Sequence, residues 1–135
     1  MSMYDISEQD LAILIPRFYD RVRADAELGP IFAGAIDDWP QHLAKLVDFW
    51  SSVMLGSGRY KGQPVPAHLR HADVLTPAMF DRWLSLWHDV TAQTLPVAEA
   101  HALQTKAARI AQSLLLAIQY RPTGNAPGPT DRRSA

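Results

Sequence analysis

His42-Leu43-Ala44-Lys45-Leu46-Val47-Asp48-Phe49-Trp50-Ser51-Ser52-Val53-Met54 decides how this chain is read. His42, Leu43, Leu46, Phe49, Trp50, Val53 and Met54 recur with a three-four rhythm, which marks one face of a helix and not the alternation of a strand. So broad an apolar stripe has to be covered by other helices. The imidazole at its head sets a metal-ligating, titratable group at the edge of a hydrophobic space. Asp37 and Asp38, just upstream, offer caps for this helix, and Pro40 is tolerated only in its first turn. Downstream, Gly-Ser-Gly-Arg-Tyr-Lys-Gly-Gln-Pro from Gly56 to Pro64 reads as a loop.

The same rhythm extends outward in both directions. Ser7, followed by Glu8, Gln9 and Asp10, is a helix start with acids in the first turn. Leu11, Leu14, Ile15, Phe18 and Val22 continue it, and Pro16 is expected to split this run into two helices or to kink one. Leu28-Gly-Pro-Ile-Phe32 reads as a break that ends the helix and turns the chain. After Pro66 a short helical piece is expected to carry His68 and Leu69. Thr76-Pro77 is a cap and first-turn pair for a helix with Phe80, Trp83, Leu84, Trp87 and Val90 on one face. Pro96 is a boundary. Leu103, Ala107, Ile110, Leu114 and Ile118 then mark a last long helix that ends near Tyr120. No strand or internal repeat stands out, so the fold class is all-α. The stretch Pro122–Ala135 has no large apolar residue, so the expected organisation is one domain over 1–121 and a disordered tail over 122–135.

Composition narrows the function classes. The chain has 135 residues, which suits one domain, and Lys plus Arg at 13 against Asp plus Glu at 14 gives a net charge of −1. Phosphate recognition needs a concentrated positive surface, so nucleic acid is not the expected partner. With no cysteine, disulfides, thiolate metal sites and cysteine nucleophiles are excluded, and a reducing compartment is permitted. The N-terminus lacks the basic start and apolar run of a signal peptide, and no apolar stretch approaches the roughly 18 residues that span a bilayer. A cytoplasmic protein without a membrane partner is expected.

Four ring-bearing residues with polar tips fall on or beside the apolar faces: Tyr19, His42, His68 and Trp83. Two imidazoles facing one slot, with a phenol and an indole nearby, suit an iron porphyrin and a small ligand on it. Neutral imidazole is a strong ligand for iron, and a haem ligand also needs its second ring nitrogen held by an acceptor. Spacing alone leaves His68 open between that role and a partly exposed loop histidine. It also leaves open a cluster of His68, His71 and Asp73 for a non-haem metal, although the usual zinc signature, with histidines at i and i+4, is not matched. His42, Tyr19 and Trp83 each have a plain reading as boundary or core residues. Jointly they say more: donor-capable tips that converge in an apolar cavity are costly unless something there accepts.

The ordered set Phe18-Tyr19, Val22-Arg23, Leu28-Gly-Pro-Ile-Phe32, Trp39 with His42, Phe49-Trp50, Tyr60-Lys-Gly-Gln-Pro64, His68-Leu69 and Phe80-Asp-Arg-Trp83-Leu84 closely resembles the truncated haemoglobins of the third group. The resemblance runs from about Ser7 to Tyr120, and the lack of a Gly-Gly pair agrees with it. It implies a shortened globin fold, two helices over two around haem b (iron protoporphyrin IX). By position it makes His68 the proximal iron ligand, Tyr19 and Trp83 distal donors, and His42 the distal gate. Phe32 would pack on the porphyrin, and Leu46 with Trp50 would line the slot. Lys45, Arg59 and Arg70 are alternatives for the propionates. The implied function is reversible binding of dioxygen or nitric oxide, or of carbon monoxide, with slow release. The alternative is a nitric oxide dioxygenase or peroxidase that works with a separate reductase.

Overall fold

The computed structural model describes residues 6–69, 71, 72 and 74–120. Over these residues the chain is all-helical, with α1 Glu8–Ala24, α2 Gly29–Ala35, α3 Trp39–Leu55, α4 Pro64–Leu69, α5 Pro77–Thr94 and α6 Val97–Gln119. The expected tail over 122–135, Arg70 and Asp73 lie outside the described residues.

The helix starts are set locally. Ser7 and Asp10 form a reciprocal capping box, each side chain accepting from the other's backbone N–H at 3.0 Å. The Asp38 carboxylate accepts from Gln41 N–H, and the Thr76 hydroxyl accepts from Met79 N–H. Pro40 and Pro77 both sit in first turns, where the missing N–H costs nothing. Gly56 ends α3 in the left-handed region, at φ 69°.

Two sequence expectations change. Pro16 does not divide its helix: α1 is continuous through it. Leu11, Leu14, Ile15 and Phe18, on both sides of the proline, are fully buried, so tertiary packing outweighs the lost hydrogen bond. Leu28–Phe32 does not end a helix but opens α2, with Pro30 as a first-turn proline, since α1 already stops at Ala24 with Asp25 as its cap. Gly29 is needed there because a Cβ would stand 2.6 Å from the Arg23 carbonyl oxygen. The short helix that carries His68 starts at Pro64, slightly earlier than expected.

α1 pairs with α3, and α5 with α6; α1 also packs on α5, and α4 lies against α6. This is the two-over-two arrangement of a shortened globin. The seam between the pairs is aromatic. Trp87 stacks on Trp50 of α3 with centroids 4.6 Å apart, and on Trp83 one turn away at 5.5 Å. Phe18 meets the edges of Trp83 and Trp87 from α1. The Trp87 indole N–H donates to the Leu103 carbonyl, which ties α5 to α6.

The segment between α3 and α4 is folded back along α3. The Tyr60 ring sits edge-on to Phe49 at 5.2 Å, and Tyr60 N–H donates to the Ser52 hydroxyl. Ser51, fully buried, donates to the Glu8 carboxylate at 2.6 Å, and the Ser57 hydroxyl lies 2.7 Å from the same Ser51 oxygen. Arg59 reaches Glu8 at 3.4 Å. These bonds fasten the loop to the start of α1, so that the chain enters α4 from a fixed point.

Candidate haem and ligand site

Tyr19 is the centre of the arrangement. It lies on the inner face of α1 and is only 4% exposed. Phe18, Phe32, Trp39 and His42 surround its ring, with centroids 4.8, 5.8, 6.1 and 6.2 Å away. Burial pushes the Tyr19 phenol well above its ordinary range, and a hydrogen bond from the Trp83 side chain only partly offsets this. The phenol therefore stays protonated. The indole can only donate, so any bond between the two leaves the phenolic proton to be given elsewhere. Among the described residues no protein acceptor takes it.

His42 is half-buried at the start of α3. Burial, then the nearby charges of Lys45 and His68, lower its basicity, so the ring is neutral near pH 7. Trp39 stands edge-on to His42 at 5.7 Å, and the Arg23 guanidinium covers the Trp39 ring at 4.4 Å. A concavity of about 210 Å³ opens beside His42, with Ile36, Asp38, Gln41 and Lys45 in its wall. A larger one, about 380 Å³, lies along α6 at Met54, Lys106 and Arg109, and none of Tyr19, His42, His68 or Trp83 lines it. Size is thus a poorer guide to the chemistry here than the convergence of polar tips.

His68 provides the test of whether the chain suits a haem. Its Nδ1 lies 2.7 Å from the Pro64 carbonyl oxygen. A carbonyl only accepts, so Nδ1 donates, and in the neutral ring the lone pair then lies on Nε2. An imidazole so oriented, half-buried and with a free nitrogen, is what a haem iron requires of its axial ligand. The donor set at Tyr19 and His42, a protonated phenol and a neutral imidazole with ring centroids 6.2 Å apart, suits a ligand that accepts hydrogen bonds. The residues fit the group.

The remaining expected site residues fall as follows. Phe32, Leu46 and Trp83 are half-buried against the core. Trp50 lies deeper, buried and stacked on Trp87. Lys45 is exposed near His42, and Arg59 is engaged with Glu8. The His68, His71 and Asp73 alternative includes one undescribed residue; among the described residues no group of three or more His, Cys, Asp or Glu is placed to hold a metal ion. Helical spacing placed Trp87 on the inner face of α5, but sequence reasoning did not single out Asp25 or Arg82, which pair across two helices with no local spacing to announce them.

Comparison with known proteins agrees with this geometry. The family model described as Bacterial-like globin matches residues 3–115. Group 3 truncated hemoglobin of Campylobacter jejuni is 38% identical over 93 residues, 66% of this chain and 72% of that protein. The crystal structure of group III truncated hemoglobin from Campylobacter jejuni superposes with a TM-score of 0.78 at 32% identity, covering 92% of this chain and 99% of that one. This chain belongs to the third group of truncated haemoglobins. Membership in the globin family carries haem and oxygen binding with it. In this truncated haemoglobin no helix among the described residues is long and apolar enough to cross a membrane.

Proposed function

We propose that the chain holds haem b through His68 and binds dioxygen or nitric oxide reversibly on the Tyr19 side, releasing it slowly. The observation that carries this reading is an oriented imidazole on α4 together with a buried, protonated phenol on α1. Pro64 holds Nδ1 of His68, so the neutral ring offers Nε2, while Tyr19 offers a proton that none of the described residues accepts. When bound, the haem supplies a ferrous iron that takes a diatomic gas. The chain's residues do the rest. Phe32 and Leu46 present apolar surface to the porphyrin, and His42 stands neutral at the edge of the slot. Lys45 is the proposed propionate partner, since Arg59 is committed to Glu8. The Tyr19 hydroxyl donates to the ligand, a bond worth on the order of 1.5–3 kcal/mol where the acceptor is charged. The lack of cysteine suits work in the cytoplasm.

Slow release favours chemistry on the held gas over bulk carriage. A nitric oxide dioxygenase or peroxidase role with a separate reductase is therefore the second reading, and conversion of nitric oxide to nitrate with a reductase present tests it. The first reading is tested by adding haemin to the purified chain. A strong absorption band near about 400 nm should appear, with an axial ligation that His68→Ala loses. A chain that takes up no haemin, or a His68→Ala variant with an unaltered spectrum, would overturn it.

A further inference from the structure

Asp25 ends α1, six positions beyond Tyr19, and its side chain is 5% exposed. Its two oxygens are divided between two tasks. Oδ1 accepts from Arg82 of α5, with Nε at 2.8 Å and the terminal nitrogen Nη2 at 2.7 Å. Oδ2 accepts from Glu27 N–H at 3.1 Å and Leu28 N–H at 3.0 Å, while the Asp25 carbonyl takes Gly29 N–H. The first set pins α1 to α5 at the residue next to Trp83. The second shapes the turn that delivers α2, and with it Phe32, onto the Tyr19 ring. One carboxylate thus reaches both elements that bracket the distal phenol.

We propose that Asp25 and Arg82 are positioning residues, an ion-pair clamp that sets the register between α1 and α5 and so holds the Trp83 indole in place beside Phe18 and Tyr19. Neither residue touches the ligand. The clamp acts through the position of the indole, a donor-only group whose N–H can serve the distal space only while α5 keeps its register on α1. A charge-assisted pair with one partner almost out of solvent is rigid enough for this, unlike the exposed Arg21–Asp89 pair on the same two helices, which spans 3.8 Å. The inference deepens the proposed function, and only its gas-release arm depends on that reading.

Asp25→Asn keeps an oxygen for the turn but loses the ion pair. Arg82→Gln removes the cation from a partly exposed position where folding tolerates it, and Arg82→Lys restores charge without the fork. The readout is indole N–H exchange, followed by NMR in the full chain bearing haem and carbon monoxide, with the Trp83 signal assigned through Trp83→Phe. Asp25→Asn and Arg82→Gln should each speed Trp83 exchange by roughly tenfold or more. The Trp87 indole, held by Leu103 on α6, should change little, and Arg82→Lys should recover part of the protection. Dioxygen release should quicken several-fold in the same variants, but not further when Tyr19 is already Phe. Equal acceleration of Trp83 and Trp87 would mean that the pair is only structural and would overturn the inference, as would unchanged Trp83 exchange in the folded variants. If Asp25→Asn does not fold, the two Arg82 variants decide. If the chain takes no haem, the proposed function fails, yet the exchange measurement on the purified chain still decides the clamp.

Discussion

The Trp83 side chain lies close enough to the Tyr19 phenol to ease its ionisation against the stronger pull of burial, and both rings flank Phe18, at 5.2 and 4.8 Å. The sequence suggested two parallel donors, each with its own bond to the ligand. An indole so placed can donate to the phenol oxygen, and the two tips are then expected to act in series on a bound ligand.

A series arrangement gives a definite pattern of off-rates. Tyr19→Phe should raise dioxygen release about ten- to a hundredfold, the worth of one good donor. Trp83→Phe should have a smaller effect, because the phenol keeps its proton but loses its guide. The double variant should release gas no faster than Tyr19→Phe alone. Stopped-flow displacement by carbon monoxide checks this, and additive effects would restore the parallel scheme.

Gly29→Ala should disturb the site from a distance. The added methyl meets the Arg23 carbonyl oxygen at 2.6 Å, and backbone cannot step aside as a side chain can. Separating α2 from the end of α1 should cost about 1–3 kcal/mol and carry Phe32 away from Tyr19. Urea unfolding measures the first effect, and haem dissociation to an excess of apomyoglobin the second.

Trp87→Ala removes the middle ring of the stack and the bond to Leu103. A buried aromatic truncated to alanine loses about 3–5 kcal/mol, so the chemical-denaturation midpoint should fall sharply. Trp87→Phe should recover much of the loss, since the ring contacts partly survive while the indole donor does not.

Asp25 should shape the acid limb of stability. Arg82, and then the Leu28 N–H, hold its carboxyl below the ordinary carboxylate range. With the folded value lowered, the unfolded chain takes up the proton first as the pH drops. The stabilisation is therefore complete above about pH 4 and is lost as the pH falls through the folded value. Asp25→Asn should be less stable at neutral pH and flatter in acid. Urea midpoints across this range test it; parallel curves for the two proteins would contradict it.

Much of this architecture is legible in the sequence because it is local. Ser7 with Asp10, Asp38 with Gln41, and Thr76 with Met79 are contacts three residues apart, and they fall where capping rules place them. The apolar faces of α3, α5 and α6 follow from helical spacing for the same reason. The split expected as one outcome at Pro16 does not occur because its penalty is local, whereas the burial of Leu14, Ile15 and Phe18 that overrides it is tertiary. Leu28–Phe32 read as a terminator, but α1 already ends at Ala24, and Pro30 is instead the first-turn proline of the next helix. Asp25 and Arg82 are 57 positions apart and have no shared pattern. The site residues came from the resemblance as an ordered set; the order in which Trp83 and Tyr19 pass a hydrogen bond is a matter of three-dimensional direction, which no linear motif encodes.

The column of Trp50, Trp87 and Trp83 has an optical consequence. Indoles this close and this nearly parallel couple their electronic transitions, so docking of α3 on α5 gives the chain a built-in chiroptical reporter in the near ultraviolet. Trp39, shielded by Arg23 and apart from that column, contributes a separate signal. Assembly of the two helix layers and closure of the distal edge can thus be watched as distinct events, with no added label.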